Sequence, residues 1–235
     1  MATIKRKPDF KKDYYEMLAW SNNHVIMGVD EVGRGCLAGP VVAAAVIIHP
    51  HKKSRLIKDS KALTSEELLK SYAWIIKHSW NATAVVHNRI IDRVNIYQAT
   101  LVAMRRCVTQ LFATIPQQPS IIAVDAMPLI IDTFTGDIVH FIYGESKSSS
   151  IAAASIVAKV TRDAIMRQIE KSFPGYLLAQ HKGYSTPTHK QQIRERGATI
   201  LHRTSFIDHL DFYPENQENQ ESLFIPTISE DQISL

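Results

Sequence analysis

The apolar positions along the chain fall into two periods. Five short runs, near residues 25–31, 41–48, 82–87, 120–126 and 138–143, are rich in aliphatic and β-branched residues and bounded by turn formers. Runs of that kind read as strands, and the unbroken one over 41–48 reads as a strand covered on both faces. Elsewhere the apolar residues recur at helical spacing. Thr64-Ser65-Glu66-Glu67 is a capping box that opens a helix to about residue 78, and residues 92–112 place Leu101, Met104, Val108 and Leu111 on one side. Ser148 to Ser150 can cap a helix over 151–173. Its face of Ile151, Ala154, Ser155, Ala158, Ile165 and Ile169 is narrow and small, which favours close packing on a sheet. Pro174-Gly175 stops that helix, and a polar loop, a short helix over 187–196 and a segment over 203–210 follow.

Strands alternating with helices predict a mixed α/β domain. With 235 residues and 45% hydrophobic content the chain can bury one substantial core without staples. The pattern predicts a folded domain over 25–213, a basic N-terminal extension over 1–24 carrying Lys5, Arg6, Lys7, Lys11 and Lys12, and an acidic tail over 214–235. From Pro214 onward there are five acids and no Lys or Arg, so residues 1–213 hold 27 bases against 18 acids. A body that basic suits a phosphate backbone as partner, or simply solubility. Cys36 and Cys107 are far apart and lack metal-type spacing, which suits reduced thiols in a cytoplasmic protein. No run approaches the roughly 20 apolar residues that span a bilayer, so no membrane association is expected.

Chemistry concentrates where the first strand ends. Gly28-Val29-Asp30-Glu31-Val32-Gly33-Arg34-Gly35 sets two adjacent carboxylates before a glycine-bracketed arginine. Adjacent carboxylates raise each other's pKa unless a cation lies between them, so the pair is either a solvated strand end or a metal site. The glycines make either an ordinary turn or a loop whose amides face a phosphate or sugar. A second apolar strand, Ile121-Ile122-Ala123-Val124, delivers Asp125 in the same way. If the two strands lie side by side and parallel, Asp30 and Asp125 meet at the sheet edge where open α/β sheets bind ligands. Neighbours on a regular strand face opposite ways, so a twist or break beginning at Glu31 is expected if both acids are to serve one site.

Joined to Asp59-Ser60-Lys61, Val124-Asp125, the run Ile-Ala-Ala-Ala-Ser-Ile-Val-Ala-Lys-Val-Thr-Arg-Asp from Ile151 to Asp163, His181-Lys182-Gly183-Tyr184 and His202-Arg203-Thr204-Ser205-Phe206, this segment strongly resembles bacterial ribonuclease HII. The resemblance implies a ribonuclease H-like fold: a mixed five-stranded sheet flanked by helices, with a C-terminal helical segment. It implies an endonuclease that hydrolyses the RNA strand of RNA/DNA hybrids and cuts 5′ to a single ribonucleotide in duplex DNA, leaving a 5′-phosphate and a 3′-hydroxyl. Two divalent ions, Mn²⁺ or Mg²⁺, would be held by Asp30, Glu31 and Asp125. The family's fourth acid lies in a Gly-Asp-Ser-like segment; here that segment reads Gly144-Glu145-Ser146, which gives the role to Glu145 with one extra methylene. Asp132, Asp137 and Asp163 are its rivals on composition, with Asp163 better suited to pairing with Arg162 or Arg167. By the same resemblance Gly33, Arg34 and Gly35 contact the ribose 2′-hydroxyl and flanking phosphates, and Tyr184 stacks on the neighbouring sugar. Lys61, Lys182 and Arg203 are candidate phosphate contacts. His181 and His202 are candidates for proton transfer, which two-metal chemistry does not require. A monomer is implied, and Gln220 to Phe224 resembles a sliding-clamp peptide.

Three rivals differ in what they need. Ribonuclease HIII normally carries an N-terminal substrate-binding domain, for which residues 1–24 are too few. A catalytically silent nucleic-acid-binding module would keep the basic surface without metal-dependent cleavage. A Mg²⁺-dependent phosphatase would want an acid two residues after Asp30, where Val32 stands.

Overall fold

The computed structural model describes residues 12–208. The acidic tail and the peptide from Gln220 to Phe224 lie outside them, as do the basic residues up to Lys11. Five strands, β1 (Ile26–Val32), β2 (Val41–Ile48), β3 (Ser79–Val86), β4 (Ile121–Asp125) and β5 (Asp137–Phe141), form one sheet in the order β3-β2-β1-β4-β5. β2 pairs antiparallel with β1 and β3, whereas β1–β4 and β4–β5 are parallel. The expected mixed sheet is therefore present, with β1 and β4 adjacent and parallel.

Helices cover both faces. On one, α3 (Asn88–Phe112) packs Met104, Cys107, Val108 and Leu111 on Met27, Val29, Ala43, Ala45, Ile122 and Val124. On the other, α2 (Ser65–His78) and α5 (Ser149–Ser172) pack on Val42, Ala44, Val46 and Ile48. All eight residues of β2 are buried, which is why its sequence does not alternate. Burying a Val or Ile side chain there contributes about 1.5–3 kcal/mol. The capping box of α2 is formed, Glu67 N–H donating to Thr64 Oγ1 at 3.3 Å and Thr64 N–H to Glu67 Oε2 at 2.9 Å. Ser148 caps α5 through Ile151 N–H at 3.2 Å. α5 sits unusually low on the sheet: a Cβ on Gly28 would lie 2.1 Å from the carbonyl carbon of Ser150.

Three features depart from the sequence reading. α3 begins at Asn88, and a turn at Asn95, with φ 66°, breaks its regularity before the long run to Phe112. The short helix α1 (Tyr14–Ser21) was not signalled by any apolar period, and the boundary at residue 24 cuts it from the body it belongs to. Its Glu16 is fully buried, accepting hydrogen bonds from Ser148 Oγ and from Ser150 N–H at 3.0 Å, while Asp13 accepts from Ser149 N–H at 2.9 Å. Two carboxylates thus satisfy the free amides that open α5, where the helix dipole favours negative charge. The third feature is the buried stripe of α5, which runs through Ser155, Ala158, Arg162 and Met166 rather than through Ile165 and Ile169.

After α5, the segments α6 (Leu178–His181), α7 (Pro187–Arg196) and α8 (Thr204–Ile207) fold back over the loop joining β1 to β2. Leu37 N–H donates to Gly183 O at 2.8 Å, Gly39 N–H to Leu201 O at 2.9 Å and Arg203 N–H to Leu37 O at 2.8 Å. Among the described residues, no helix is long and apolar enough to cross a membrane.

Candidate active site

Asp30, Glu31, Asp125 and Glu145 line one cavity of about 160 Å³, together with Val32, Ser60, Lys61, Ser155, Lys159 and Tyr184. The cavity lies at the carboxyl ends of β1 and β4, where the strand order changes direction. Glu145 arrives on α4 (Gly144–Lys147), directly before α5. Asp137 stands at the opposite, amino end of β5 and does not line this cavity.

Of the twist or break expected at Glu31, no break occurs. β1 keeps its register with β2 through Glu31↔Ala43 and Val32↔Val42. The pairing that stops is on the other side, where β1 leaves β4 after Val29↔Val124. Beyond that point the two parallel strands share no ladder, and their terminal acids on both faces reach the opening between them.

Each acid is oriented by a hydrogen bond. Glu31 N–H donates to Asp30 Oδ1 at 2.7 Å, Gly144 N–H to Asp125 Oδ1 at 2.8 Å and Ser155 Oγ to Glu145 Oε1 at 2.5 Å. Ser155 is held in turn by Ser60 Oγ at 2.9 Å. Arg34 lies 3.4 Å from Glu31 Oε1, and the exposed Lys61 lies 3.9 Å from Glu145 Oε2. Burial raises the pKa of Asp30 well above the ordinary carboxylate range, and the charges of Glu31 and Asp125 push it further. Glu31 is raised by burial and by Asp125 against the opposing pull of Arg34, and Glu145 by burial against Ser155 and Lys61. The site holds more negative charge than its own cations balance.

A divalent ion fits this donor set. Among the described residues no three acids already converge into a metal cage. Glu31 Oε2, however, is buried with no hydrogen-bond partner, a costly state for a carboxylate oxygen unless a cation faces it. All the candidate donors are hard oxygens, which suit Mg²⁺ or Mn²⁺.

Beside the acids, the loop after β1 is clamped from below. Arg203 is fully buried and donates to Gly33 O at 2.6 Å, Arg34 O at 2.7 Å and Gly39 O at 3.0 and 3.1 Å. Arg162, also buried, donates to Pro40 O at 2.9 Å, Ala38 O at 3.2 Å and Lys182 O at 2.8 Å. In a trans peptide the C=O and N–H point opposite ways, so the Arg34 and Gly35 amides are directed away from Arg203. Gly33 has φ 93°, and a Cβ there would lie 2.2 Å from Arg162 Nε, whereas Gly35 has open space where a side chain would stand. Arg203 thus shapes the loop, and its guanidinium is spent on carbonyls rather than offered to a phosphate.

Two further residues depart from their expected roles. Lys182 adopts φ 54° and turns its Nζ back to the Ala179 carbonyl, so its ammonium is not extended toward a substrate backbone. Asp163 pairs with Lys159 at 3.3 Å, because Arg162 is directed inward. Tyr184 does reach the cavity wall, 38% exposed, with the Arg162 guanidinium 5.6 Å from its ring centre. Sequence reasoning missed Ser60, Ser155 and Arg162 as parts of this site. Ser155 and Arg162 carried a signal, since both fall at helical spacing on a stripe that is otherwise small and apolar.

The family model for Ribonuclease HII matches residues 27–209. The chain is 43% identical over 194 residues to the Ribonuclease HII of Levilactobacillus brevis, covering 82% of this chain and 73% of that protein. Among solved structures it resembles the ribonuclease HII of Archaeoglobus fulgidus from a complex with PCNA, with a TM-score of 0.67 and 22% identity over 81% of this chain and 98% of that one. It also resembles Bst ribonuclease HIII in complex with Mn²⁺, with a TM-score of 0.64 and 22% identity over 86% and 73% of the two chains. The match takes in the four acids, the clamped loop and all of the sheet but the first residue of β1, and the chain belongs to the ribonuclease HII family of endoribonucleases.

Proposed function

We propose that this enzyme, whose family cuts the RNA strand of RNA/DNA hybrids, also incises duplex DNA on the 5′ side of a single ribonucleotide. The observation that carries the reading is the joining of the four acids and Tyr184 around one cavity, with Arg34 of the clamped Gly-Arg-Gly loop 3.4 Å from Glu31. Asp30, Glu31, Asp125 and Glu145 hold two divalent ions, Mg²⁺ or Mn²⁺, which when bound supply activation of water and stabilisation of the departing 3′ oxygen. Ser155, braced by Ser60, fixes the Glu145 carboxylate. The Arg34 and Gly35 amides and the Arg34 side chain face the ribose and its phosphates, and the 2′-hydroxyl is the group that separates RNA from DNA. Tyr184 lies against the sugar beyond the junction, and Lys61 meets a phosphate.

The buried free thiols Cys36 and Cys107 suit a reducing cytoplasm. Contact with a sliding clamp through the peptide from Gln220 to Phe224 is supported by its sequence and by the clamp complex of the A. fulgidus relative. The test is cleavage of a labelled DNA duplex bearing one internal ribonucleotide, with Mg²⁺ or Mn²⁺ and with chelator, beside Asp30→Asn. Metal-dependent cutting 5′ to the ribonucleotide, lost in the variant, supports the reading. Cutting of long hybrids alone would assign a ribonuclease HIII-like activity instead.

A further inference from the structure

Three buried histidines lie beneath Tyr184, outside the acid cluster. His189 and His202 are 0% and 2% exposed, and His181 is 9% exposed. Their partners fix their protons. His189 Nδ1 lies 2.9 Å from Tyr184 O, which can only accept, so Nδ1 carries the hydrogen and Nε2 is bare. That bare nitrogen lies 3.2 Å from His202 Nε2, which therefore donates, leaving His202 Nδ1 to accept from Thr199 N–H at 2.9 Å. His181 donates from Nε2 to Tyr176 O at 2.7 Å and accepts at Nδ1 from Gly183 N–H at 3.1 Å. Its ring stacks on His189 with centroids 4.2 Å apart. Every ring nitrogen has a partner with one tautomer of each neutral ring, His202 Nδ1 meeting Thr199 Oγ1 at 2.9 Å as well, so none is left for proton transfer to substrate.

We propose that these three rings form a positioning relay that sets the place of Tyr184 and thereby the enzyme's capacity to cut at a single ribonucleotide, an inference that rests on the role given to Tyr184 above. His181 and His189 grip the backbone of Gly183 and Tyr184 from one side. From the other, Leu37 N–H donates to Gly183 O, and Cys36 bridges to Tyr184. A shift of this turn therefore moves both the tyrosine and the loop before it. An added proton on His181 or His189 would set N–H against N–H. The other titratable groups facing the relay are Glu170, Lys182, Tyr176 and Tyr184, and burial holds His189 and His202 down at about 4.

The experiment compares kcat/KM of the full chain on a duplex with one ribonucleotide and on a long RNA/DNA hybrid. His189→Phe keeps a flat ring but loses both hydrogen bonds; it lowers the single-ribonucleotide to hybrid ratio about tenfold, about 1.4 kcal/mol, in the same direction as Tyr184→Ala. His189→Asn, whose amide can donate to the Tyr184 carbonyl, restores most of the ratio. His202→Gln is the gentler second variant, keeping a donor for His189 while giving up the acceptor for Thr199, and lowers the ratio about threefold. Equal losses on both substrates, or an unchanged ratio in a folded variant, overturn the relay alone. A wild type that cuts hybrids but leaves the single-ribonucleotide duplex intact overturns the role given to Tyr184 and the relay's function with it.

Discussion

Replacing Arg203 by Met tests whether the loop that faces the substrate is held by its carbonyls. The side chain makes four hydrogen bonds to the carbonyls of Gly33, Arg34 and Gly39, between 2.6 and 3.1 Å, in a site without solvent exposure. Met preserves most of the volume and leaves three buried acceptors without a donor, at about 1–3 kcal/mol each. Part of that loss is offset because a buried cation is no longer desolvated; burial already pulls the Arg203 pKa down to about 10. A net loss of about 3–5 kcal/mol remains, which for a domain of this size lowers Tm by about 10 °C. Arg203→Lys keeps the charge, but one ammonium cannot span three carbonyls as a planar fork does, so it recovers part of the stability and little of the cleavage. The assay is thermal unfolding by circular dichroism beside cleavage of a single-ribonucleotide duplex. A Met variant that melts within about 2 °C of wild type and keeps its kcat/KM would refute the clamp.

In the presence of chelator Asp30→Asn should melt above wild type at pH 7. Asp30 holds its proton to a higher pH when folded than when unfolded, so its charge costs stability increasingly as pH rises through that window, and the variant's advantage should vanish near pH 4. Mn²⁺ should then raise the Tm of wild type and not of the variant, as a thermal-shift titration will read. Ser155→Ala frees Glu145 and should raise the Mn²⁺ concentration for half-maximal cleavage about tenfold or more; an unchanged midpoint would remove Glu145 from the metal set. Gly28→Ala drives a methyl into the backbone of Ser150, costing about 3 kcal/mol or more, and a soluble variant with wild-type Tm would contradict the close seat of α5. His189 and His202, held near 4 when folded against about 6.5 when unfolded, make stability fall as pH drops from about 6.5 toward 4; His189→Asn should flatten that limb of a Tm-against-pH curve.

What could be read from the sequence was whatever local periodicity or a local signal encodes. β2 betrays its burial on both faces by having no polar position, and the Thr64 box names the start of α2 from four adjacent residues. The meeting of Asp30 with Asp125 followed from two matching strand ends, once the strands were taken to be parallel neighbours. Features made by long-range contacts were not legible. α1 has little apolar period of its own, and it exists because Glu16 and Asp13 have amides to satisfy at the start of α5. Arg203 read as a phosphate contact or a solvated cation, and only the fold shows three carbonyls closing around it.

The parallel pairing of β1 with β4 also governs when the enzyme comes into being. Asp30 and Asp125 are neighbours only after β2, α2, β3 and α3, which separate them in the chain, have been made, and Glu145 and Ser155 come later still. Such distant pairings form late, because loop closure must precede any reward from contact. A chain still emerging from the ribosome carries Asp30 and Glu31 on a strand with no partner on that side, and so it has no cutting centre.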